Sequence, residues 1–293
     1  MNSDPIIPSC FDLSNLSMAA VSGDDASSFL QGQLSNDITF LNEESSHQLS
    51  AYCNPKGRML ALFNVLKYDG SFLLVAPSEV MDKVLPRLNM FVMRSAVEIK
   101  PLEGLNLQGL LAPGFTNDEA TTMVSAGTHF ARHQNDPERY FLLTREKINE
   151  PLKSYDEWNR LDIEQNLPQI FIESYEALIP QSANLDIVGG VNFKKGCFPG
   201  QEIIARVKYR GKPKSRMIGV KLSGKQPVKV AASIYIDQRD RSAGEVINVA
   251  SETEDTLLSI SVPVTHISEG ALYLDEGRTI ELERIKCPYE ITI

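Results

Sequence analysis

The pattern of apolar and polar positions predicts a mixture of strands and helices over the first two thirds of the chain. Alternating or continuous apolar runs predict strands at 16–21, 72–75, 96–102, 105–111 and 139–144, and a segment over 50–66 that a turn at 54–57 interrupts and that ends in a β-like run. Helical spacing predicts helices that begin after Gly23-Asp24-Asp25 and at Ser78, and further helices over 117–126 and 146–166. Pro86 predicts a kink or an early end in the second of these helices. Such an order is typical of an α+β protein.

Beyond Lys212-Pro213 the pattern changes to short β-like runs separated by turn residues. The runs cover 217–222, 233–236, 244–250, 256–261 and 279–285. Their spacing is typical of a small all-β barrel or sandwich. We therefore predict an α+β region over 1–212 and a C-terminal β domain over 213–293.

Composition excludes several classes of protein. The chain has 293 residues, of which 42% are hydrophobic and 23% charged, so it is neither disordered nor collagen-like. No stretch approaches the roughly 18 uninterrupted apolar residues of a membrane helix, and the N-terminus lacks the features of a secretory signal. Four cysteines do not make a disulfide framework in a chain of this length. We therefore expect a reducing, cytoplasmic location and no membrane partner.

Charge is distributed unevenly along the chain. Residues 194–229 contain eleven Lys or Arg and one acid, Glu202, although the net charge of the whole chain is −9. A basic segment in an acidic protein indicates either a site for an anion or a solvated connector between domains. Direct binding of a nucleic acid through this segment is a further alternative. Its only stacking aromatics are Phe198 and Tyr209, and the rest of the chain is acidic, which argues against that alternative.

The segment that points most clearly to chemistry is 193–202, Phe-Lys-Lys-Gly-Cys-Phe-Pro-Gly-Gln-Glu. Gly196 and Gly200 flank Cys197 and permit positive φ angles or the close approach of a ligand. A helix that begins at Pro199 or Gly200 would direct its first amide groups toward Cys197, and this field, with two neighbouring lysines, favours the thiolate. Such a thiol suits a nucleophile, a redox-active group or a soft metal ligand. The alternative is a small buried core residue.

Other chemical signatures are weak. The remaining cysteines, Cys10, Cys53 and Cys287, form no CxxC pair, so the sequence predicts no protein-held metal site. His129 and His133 are four residues apart in a segment that does not favour a helix, and we expect them to be exposed. Trp158 is the single tryptophan; it suits either a core position or stacking on a planar heterocycle such as a pterin.

Residues 195–202 closely resemble the K-G-C-[FY]-x-G-Q-E signature of the YgfZ family of folate-binding proteins. Segments similar to this family also occur at 29–34, 53–58, 179–185, 189–193 and 205–211. The resemblance implies the fold of the glycine cleavage T-protein, with two interlocked α+β lobes and a C-terminal β-barrel. It also implies tetrahydrofolate or a derivative as cofactor, and iron–sulfur enzymes or assembly proteins as partners. An effect on tRNA would then be indirect, through the iron–sulfur enzymes that modify it.

The resemblance also implies roles for individual residues. Cys197 would act as a redox thiol or a transient cluster ligand, with Lys195 and Arg206 supplying positive field. Trp158 would pack on the pterin or aminobenzoyl group, whereas Leu16 occupies the position of a second family tryptophan and offers no π-stacking. The glutamate tail of the folate would lie on Arg206, Lys208 and Arg210. The cofactor-binding candidates are therefore Trp158, Leu16, Lys195, Arg206, Lys208 and Arg210.

A second departure from the T-protein pattern concerns catalysis. The run 57–63, where the T-protein carries its catalytic aspartate, reads Gly-Arg-Met-Leu-Ala-Leu-Phe and contains no carboxylate. Aminomethyl transfer needs an acid–base or charged group near the reacting nitrogen atoms. We therefore expect an accessory protein without classical catalysis. The alternative is a folate-dependent one-carbon transferase that uses Cys197 in place of the aspartate.

Overall fold

The computed structural model describes residues 8–41, 47–114, 129–146, 152–237, 241–251 and 254–293. Within these ranges the helices are α1 (Ala26–Gln33), α2 (Ser78–Asn89), α3 (Tyr155–Glu164) and α4 (Gln201–Arg210). The strands are β1 (Ser9–Asp12), β2 (Leu16–Ser22), β3 (His47–Cys53), β4 (Met59–Tyr68), β5 (Ser71–Pro77), β6 (Glu98–Pro101), β7 (Asn106–Leu111), β8 (His129–Arg132), β9 (Arg139–Thr144), β10 (Ser215–Leu222), β11 (Ser233–Ile236), β12 (Gly244–Ala250), β13 (Thr256–Pro263), β14 (Leu272–Tyr273) and β15 (Glu283–Arg284). None of the helices in the described ranges has the length and hydropathy of a transmembrane segment.

The chain forms two compact units, and each of them is assembled from separate stretches of sequence. The first unit consists of Met1–Gln31, Asp37–Leu49 and Phe63–Trp158. The second unit consists of Gly32–Asn36, Ser50–Leu62 and Asn159–Ile293. Residues on both sides of position 212 therefore lie in the second unit, and the predicted domain boundary there stays a prediction.

Two sheets organise the first unit. One has the strand order β1-β7-β9-β8, with antiparallel pairing throughout. The other has the order β3-β4-β5-β2-β6, and its strands β3 and β4 contribute residues to both units. Seven consecutive residues are buried in β3 and eight in β4, so these strands have apolar neighbours on both faces.

Local sequence explains the connections in the first unit. Asp69 and Gly70 join β4 to β5 with φ angles of 45° and 72°, which is the left-handed conformation that a tight hairpin requires. In α2 the buried residues Val80, Val84 and Leu88 recur at helical spacing. Pro86 lies inside this helix, which ends soon afterwards at Asn89.

The second unit contains a six-stranded sheet in the order β14-β11-β12-β13-β10-β15. The sheet is antiparallel and barrel-like, and the longest pairing joins β10 to β13 over eight residues each. Apolar side chains fill its interior, among them Val220, Ile234, Val246 and Ile260. This confirms the prediction of a β-rich C-terminal part.

Most predicted elements are confirmed, and the differences have local causes. Part of the helix expected over 146–166 is present as α3 from Tyr155 to Glu164, and residues 147–151 of that range lie outside the described residues. The strand expected over 279–285 is reduced to Glu283–Arg284, because only these two residues pair with β10. The short strands β1, β8 and β14 were missed. The helix expected over 117–126 lies outside the described residues.

Candidate functional site

Cys197 is exposed at the tip of a loop that is held on both sides. The residues that flank Gly196-Cys197 are Lys195, 9% exposed, and Phe198, 7% exposed. The backbone N–H of Asn192 also donates to Ser35 O at 3.0 Å, which ties the start of the loop to the second unit. The alternative in which Cys197 is a core residue is therefore wrong, and the thiol is open to solvent.

The side chain of Lys195 points inward rather than toward solvent. Its Nζ donates to Leu34 O at 2.6 Å and to Asn36 O at 3.0 Å. It also lies 5.3 Å from the ring centroid of Phe198. Because its ammonium group already binds two carbonyl oxygens, a bound anion would have to compete with them. The geometry favours a structural role for Lys195 in holding the loop, and its role as a folate ligand stays a prediction.

The helix expected after Pro199 or Gly200 is α4, which begins at Gln201. Gly200 precedes it with φ 82°, a conformation that glycine adopts without strain. Gly196 does not have a positive φ, and a side chain there would meet nothing within 4 Å. The positive φ that the sequence permits is therefore present at Gly200 and not at Gly196, where the close approach of a ligand stays a prediction.

Helix α4 presents the predicted cations to solvent. Arg206, Lys208 and Arg210 are all exposed, and within the described ranges no ion pair joins them to an acid. Arg206 and Arg210 are four residues apart and share one face of the helix. Lys208 points elsewhere, with its Nζ 5.5 Å from the ring centroid of Phe193. The helix therefore offers positive charge on two faces.

A polar groove of about 240 Å³ runs beside the end of α4. Lys208 and Lys212 line it as exposed cations. Arg216 also lines it but is 2% exposed and fully engaged, with Asp186 Oδ1 at 2.5 Å and Gln181 O at 2.9 Å. The buried ion pair holds the groove together, while the two lysines supply its accessible charge.

Trp158 and Leu16 lie in the interior of the first unit. The indole is 2% exposed and packs against the rings of Phe11 and Phe141, at centroid distances of 5.3 and 5.7 Å. The Arg139 guanidinium lies 4.9 Å from the indole centroid. Leu16 is 8% exposed in β2. Stacking of Trp158 on a pterin stays a prediction, and it requires one of these neighbours to leave the indole.

Sequence reasoning missed a buried polar cluster in the first unit. His133 is 5% exposed, so the expectation that it lies on the surface is wrong, and its ring stacks on His47 at 4.6 Å. His47 Nδ1 accepts from the Gln134 backbone N–H at 2.8 Å, and burial lowers the pKa of His47 to about 4. Burial and the nearby positive charge of Arg139 also lower the pKa of His133. No local signal predicts this cluster, because its members come from distant strands.

The described ranges contain no metal-binding cluster of side chains. No group of three or more His, Cys, Asp or Glu side chains there could hold a metal ion. A cluster with four ligands bound at Cys197 would therefore draw at least two of them from outside the described part of this chain.

Sequence comparison relates the chain to curated bacterial proteins over most of its length. No family model matches it. It is 29% identical over 280 residues to the tRNA-modifying protein YgfZ of Klebsiella pneumoniae, covering 88% of this chain and 85% of that protein. It is 28% identical to the protein of the same name from Hamiltonella defensa, covering 87% of this chain and 82% of that protein.

Structure comparison gives an independent result. The crystal structure of glycine cleavage system aminomethyltransferase T from Bartonella henselae superposes with a TM-score of 0.73 at 16% identity. The match covers 96% of this chain and 85% of the other. The chain is therefore similar in sequence to the YgfZ proteins over most of its length, and its α+β fold with a C-terminal barrel-like sheet is similar to that of the T-protein.

Proposed function

We propose that this protein is a folate-binding accessory protein that supports iron–sulfur cluster assembly or repair. Through iron–sulfur enzymes it would contribute indirectly to tRNA modification. The observation that carries the proposal is Cys197, an exposed thiol on a loop fixed by the buried Lys195 and Phe198. The names of its relatives, which refer to tRNA modification, and its T-protein fold support this reading.

The proposed role of Cys197 is that of a redox thiol or a transient cluster ligand. As a ligand it would lose its proton and donate a sulfur electron pair to iron, with no change in the oxidation state of the sulfur. A solvent-exposed sulfur can reach an atom held by another protein, whereas the sulfur of Cys53, 1% exposed, cannot. The remaining ligands would come from a partner protein or from a small thiol such as glutathione.

The candidate residues fit tetrahydrofolate unequally. Its carboxylate tail suits the exposed Arg206, Lys208 and Arg210, which can approach an anion without first breaking an ion pair with an acid of the described ranges. Its ring suits Trp158 and Leu16 less well, because both side chains are covered by neighbours. When bound, tetrahydrofolate supplies a carrier for one-carbon groups. The protein's own contribution in this proposal is to hold the tail through α4.

Nothing in the described residues favours a one-carbon transferase over this reading. The turn and strand over 57–63 present no carboxylate, and the buried part of β4 is apolar apart from Asn64. A thiol could replace the missing carboxylate only if it reached the folate. The accessory role needs no such contact.

The proposal is tested by Cys197→Ser in cells that lack the endogenous protein, with Cys10→Ser as the matched control on a half-buried thiol. The activity of an iron–sulfur enzyme is the readout. We expect the wild type and the control to restore this activity and Cys197→Ser to fail, while the serine variant keeps its affinity for tetrahydrofolate within about twofold. Full restoration by Cys197→Ser would refute the role of the thiol.

The folate component has its own test. Anaerobic titration of the purified protein with tetrahydrofolate should give saturable binding, and Arg206→Ala with Arg210→Ala should weaken it about tenfold, as expected for the loss of two solvent-exposed ion pairs worth about 0.7 kcal/mol each. Absence of binding at millimolar tetrahydrofolate would remove folate from the proposal.

A further inference from the structure

The Cys197 loop rests directly on a turn that is distant in sequence. A Cβ atom added to Gly200 would lie 2.6 Å from Asn54 O, 2.6 Å from Gly57 Cα and 2.8 Å from Gly57 N. A Cβ added to Gly57 would lie 3.2 Å from Ile203 Cβ and 3.4 Å from Gly200 O. The atoms that Gly200 would meet are all backbone atoms, which cannot move aside as a flexible side chain can. The two glycines therefore allow a contact that no other residue at position 200 permits.

Both glycines also adopt left-handed backbone conformations. Their φ angles are 72° at Gly57 and 82° at Gly200. An L-residue in this region is strained even where space is available. The sequence indicates that Gly200 permits a positive φ beside Cys197, but its partner across the contact, Gly57, is visible only in the structure.

The turn at 54–58 is itself held firmly on its other side. Asn54 Oδ1 accepts from the backbone N–H groups of Lys56 at 2.9 Å and of Arg58 at 3.1 Å. Asn54 Nδ2 donates to Glu176 Oε1 at 3.0 Å. Arg58 donates to Ala177 O, and the backbone N–H of Met59 donates to Leu178 O at 2.9 Å. The turn is thus a fixed support rather than a loose loop.

The three supports of the loop act at different points. Lys195 holds its N-terminal side, Phe198 packs just beyond the thiol, and Gly200 rests on Gly57 where α4 begins. A loop held at three points has little freedom to move its tip, so the position of Cys197 depends on each support.

We propose that Gly57 and Gly200 form a positioning contact for the Cys197 thiol, and that the turn at 54–58 is a structural component of this site. The proposal extends the function proposed above, because it assumes that Cys197 acts at a defined position. A methyl group at either glycine pushes the loop away from the turn and lets the thiol occupy several positions.

The test measures the position of Cys197 directly. Spin labels are placed on Cys197 and on Lys225→Cys, an exposed position of the same unit, in a background with Cys10→Ser and Cys287→Ser. Cys53 is too buried to be labelled in the folded protein. Pulsed electron paramagnetic resonance then gives the distribution of distances between the two labels.

We expect one narrow distance in the parent and a distribution displaced or at least about twofold broader in Gly57→Ala and in Gly200→Ala. The matched control is Gly70→Ala. Gly70 has the same φ of 72° as Gly57 but open space around its Cβ position, so it reports backbone strain without the contact. It should keep the parent distribution.

An unchanged distribution in both glycine variants would overturn the proposal, and so would equal broadening in Gly70→Ala. If a glycine variant fails to fold, Asn54→Ala removes the hydrogen bonds of the turn without adding a methyl group and should broaden the distribution as well.

The cellular assay separates this proposal from the function on which it rests. Gly57→Ala should lower restoration of the iron–sulfur enzyme at least about threefold, whereas Gly70→Ala should match the wild type. Full restoration despite a broadened distance would overturn the need for a defined position. Full restoration by Cys197→Ser would instead overturn the proposed function and leave the structural contact standing.

Discussion

Trp158 and Cys197 are the two side chains that the sequence singles out most clearly, and the structure places them in opposite environments. Trp158 is 2% exposed in the core of the first unit, enclosed by two aromatic rings and a guanidinium group. Cys197 stands in solvent in the second unit, and the burial around it is confined to its neighbours in the loop. Rarity in a sequence therefore does not distinguish a residue that is buried in the core from one that is exposed to solvent.

The difference between the two regions is one of packing. Atoms around Trp158 are closely packed, so removing or adding an atom there leaves a cavity or creates a clash. We therefore expect a large decrease in the free energy of unfolding. A substitution at Cys197 alters a side chain that is exposed to solvent, so we expect it to lower the proposed activity and to leave the free energy of unfolding nearly unchanged. The four predictions below test this contrast, beginning with the largest expected effect.

The largest effect is expected for Arg139→Met, measured by urea unfolding followed through Trp158 fluorescence. Arg139 is 0% exposed and its Nε lies 2.9 Å from Asp136 Oδ2, so its removal leaves a largely buried carboxylate without its partner. We expect a loss of about 3–5 kcal/mol. The exposed pair Lys100–Glu98 is the control, and Lys100→Ala should cost less than about 1 kcal/mol. Equal costs would show that the Trp158 region is not a closed core.

Acid should weaken the first unit next most strongly. Burial lowers the pKa of His47 from 6.5 to about 4, and the pKa of His133 is lowered as well. The unfolded chain therefore binds more protons than the folded chain below about pH 6.5, so stability falls as the pH decreases from 6.5 toward 4. For His47 alone this amounts to about 3 kcal/mol.

The measurement is urea unfolding at several pH values between 7.5 and 4.5, again with Trp158 fluorescence. In His47→Gln the dependence on pH should be shallower, because one titrating group is gone. A parent protein whose stability is unchanged over this range would contradict the burial of the histidine pair.

A smaller loss is expected for Gly109→Ala in β7. A Cβ atom there would lie 2.5 Å from the Trp158 ring, and overpacking of this kind costs about 1–3 kcal/mol. Gly32→Ala is the matched control, because Gly32 lies in α1 with open space around it. That change should be neutral or stabilise the protein by up to about 1 kcal/mol. If both substitutions had the same effect, the ring would not be tightly enclosed.

The smallest effect on stability is expected at Cys197 itself. Cys197→Ser should change the free energy of unfolding by less than about 0.5 kcal/mol. Iodoacetamide should alkylate Cys197 in the native protein at least about a hundredfold faster than Cys53, whose burial raises its pKa to about 12. Peptide mass spectrometry distinguishes the two sites, and urea should remove the difference. Comparable native rates would show that the loop does not present Cys197 selectively.

Much of the architecture is predictable because it depends on short-range pattern. The strand at 16–21, the hairpin at Asp69-Gly70 and the helix after Gly200 follow from residue spacing and turn chemistry, and all three are present. Predictions were less accurate for strands that depend on pairing with a distant strand. The strands β14 and β15 have two residues each, and they count as strands only because they pair with β11 and β10.

The candidate site was predictable in its residues and not in its geometry. The resemblance at 195–202 identified Cys197 and the cations of α4, and these side chains are exposed. It did not show that Lys195 turns inward to the carbonyl groups of Leu34 and Asn36. The local sequence is the same whether the ammonium group of a lysine binds a ligand or donates to backbone carbonyl groups. Only the folded surroundings distinguish these two roles.

The sequence by itself determined the order of strands and helices, the uneven distribution of charge, and the identity of the thiol with its flanking glycines. Only the tertiary structure decided that Trp158 and His133 are enclosed, that Lys195 turns inward to two backbone carbonyl groups, and that Gly200 rests on Gly57. The physical reason is the separation along the chain over which each effect acts. Periodicity and turn chemistry act over a few residues, whereas burial and close backbone contact depend on segments that lie far apart in the chain and meet only when it folds.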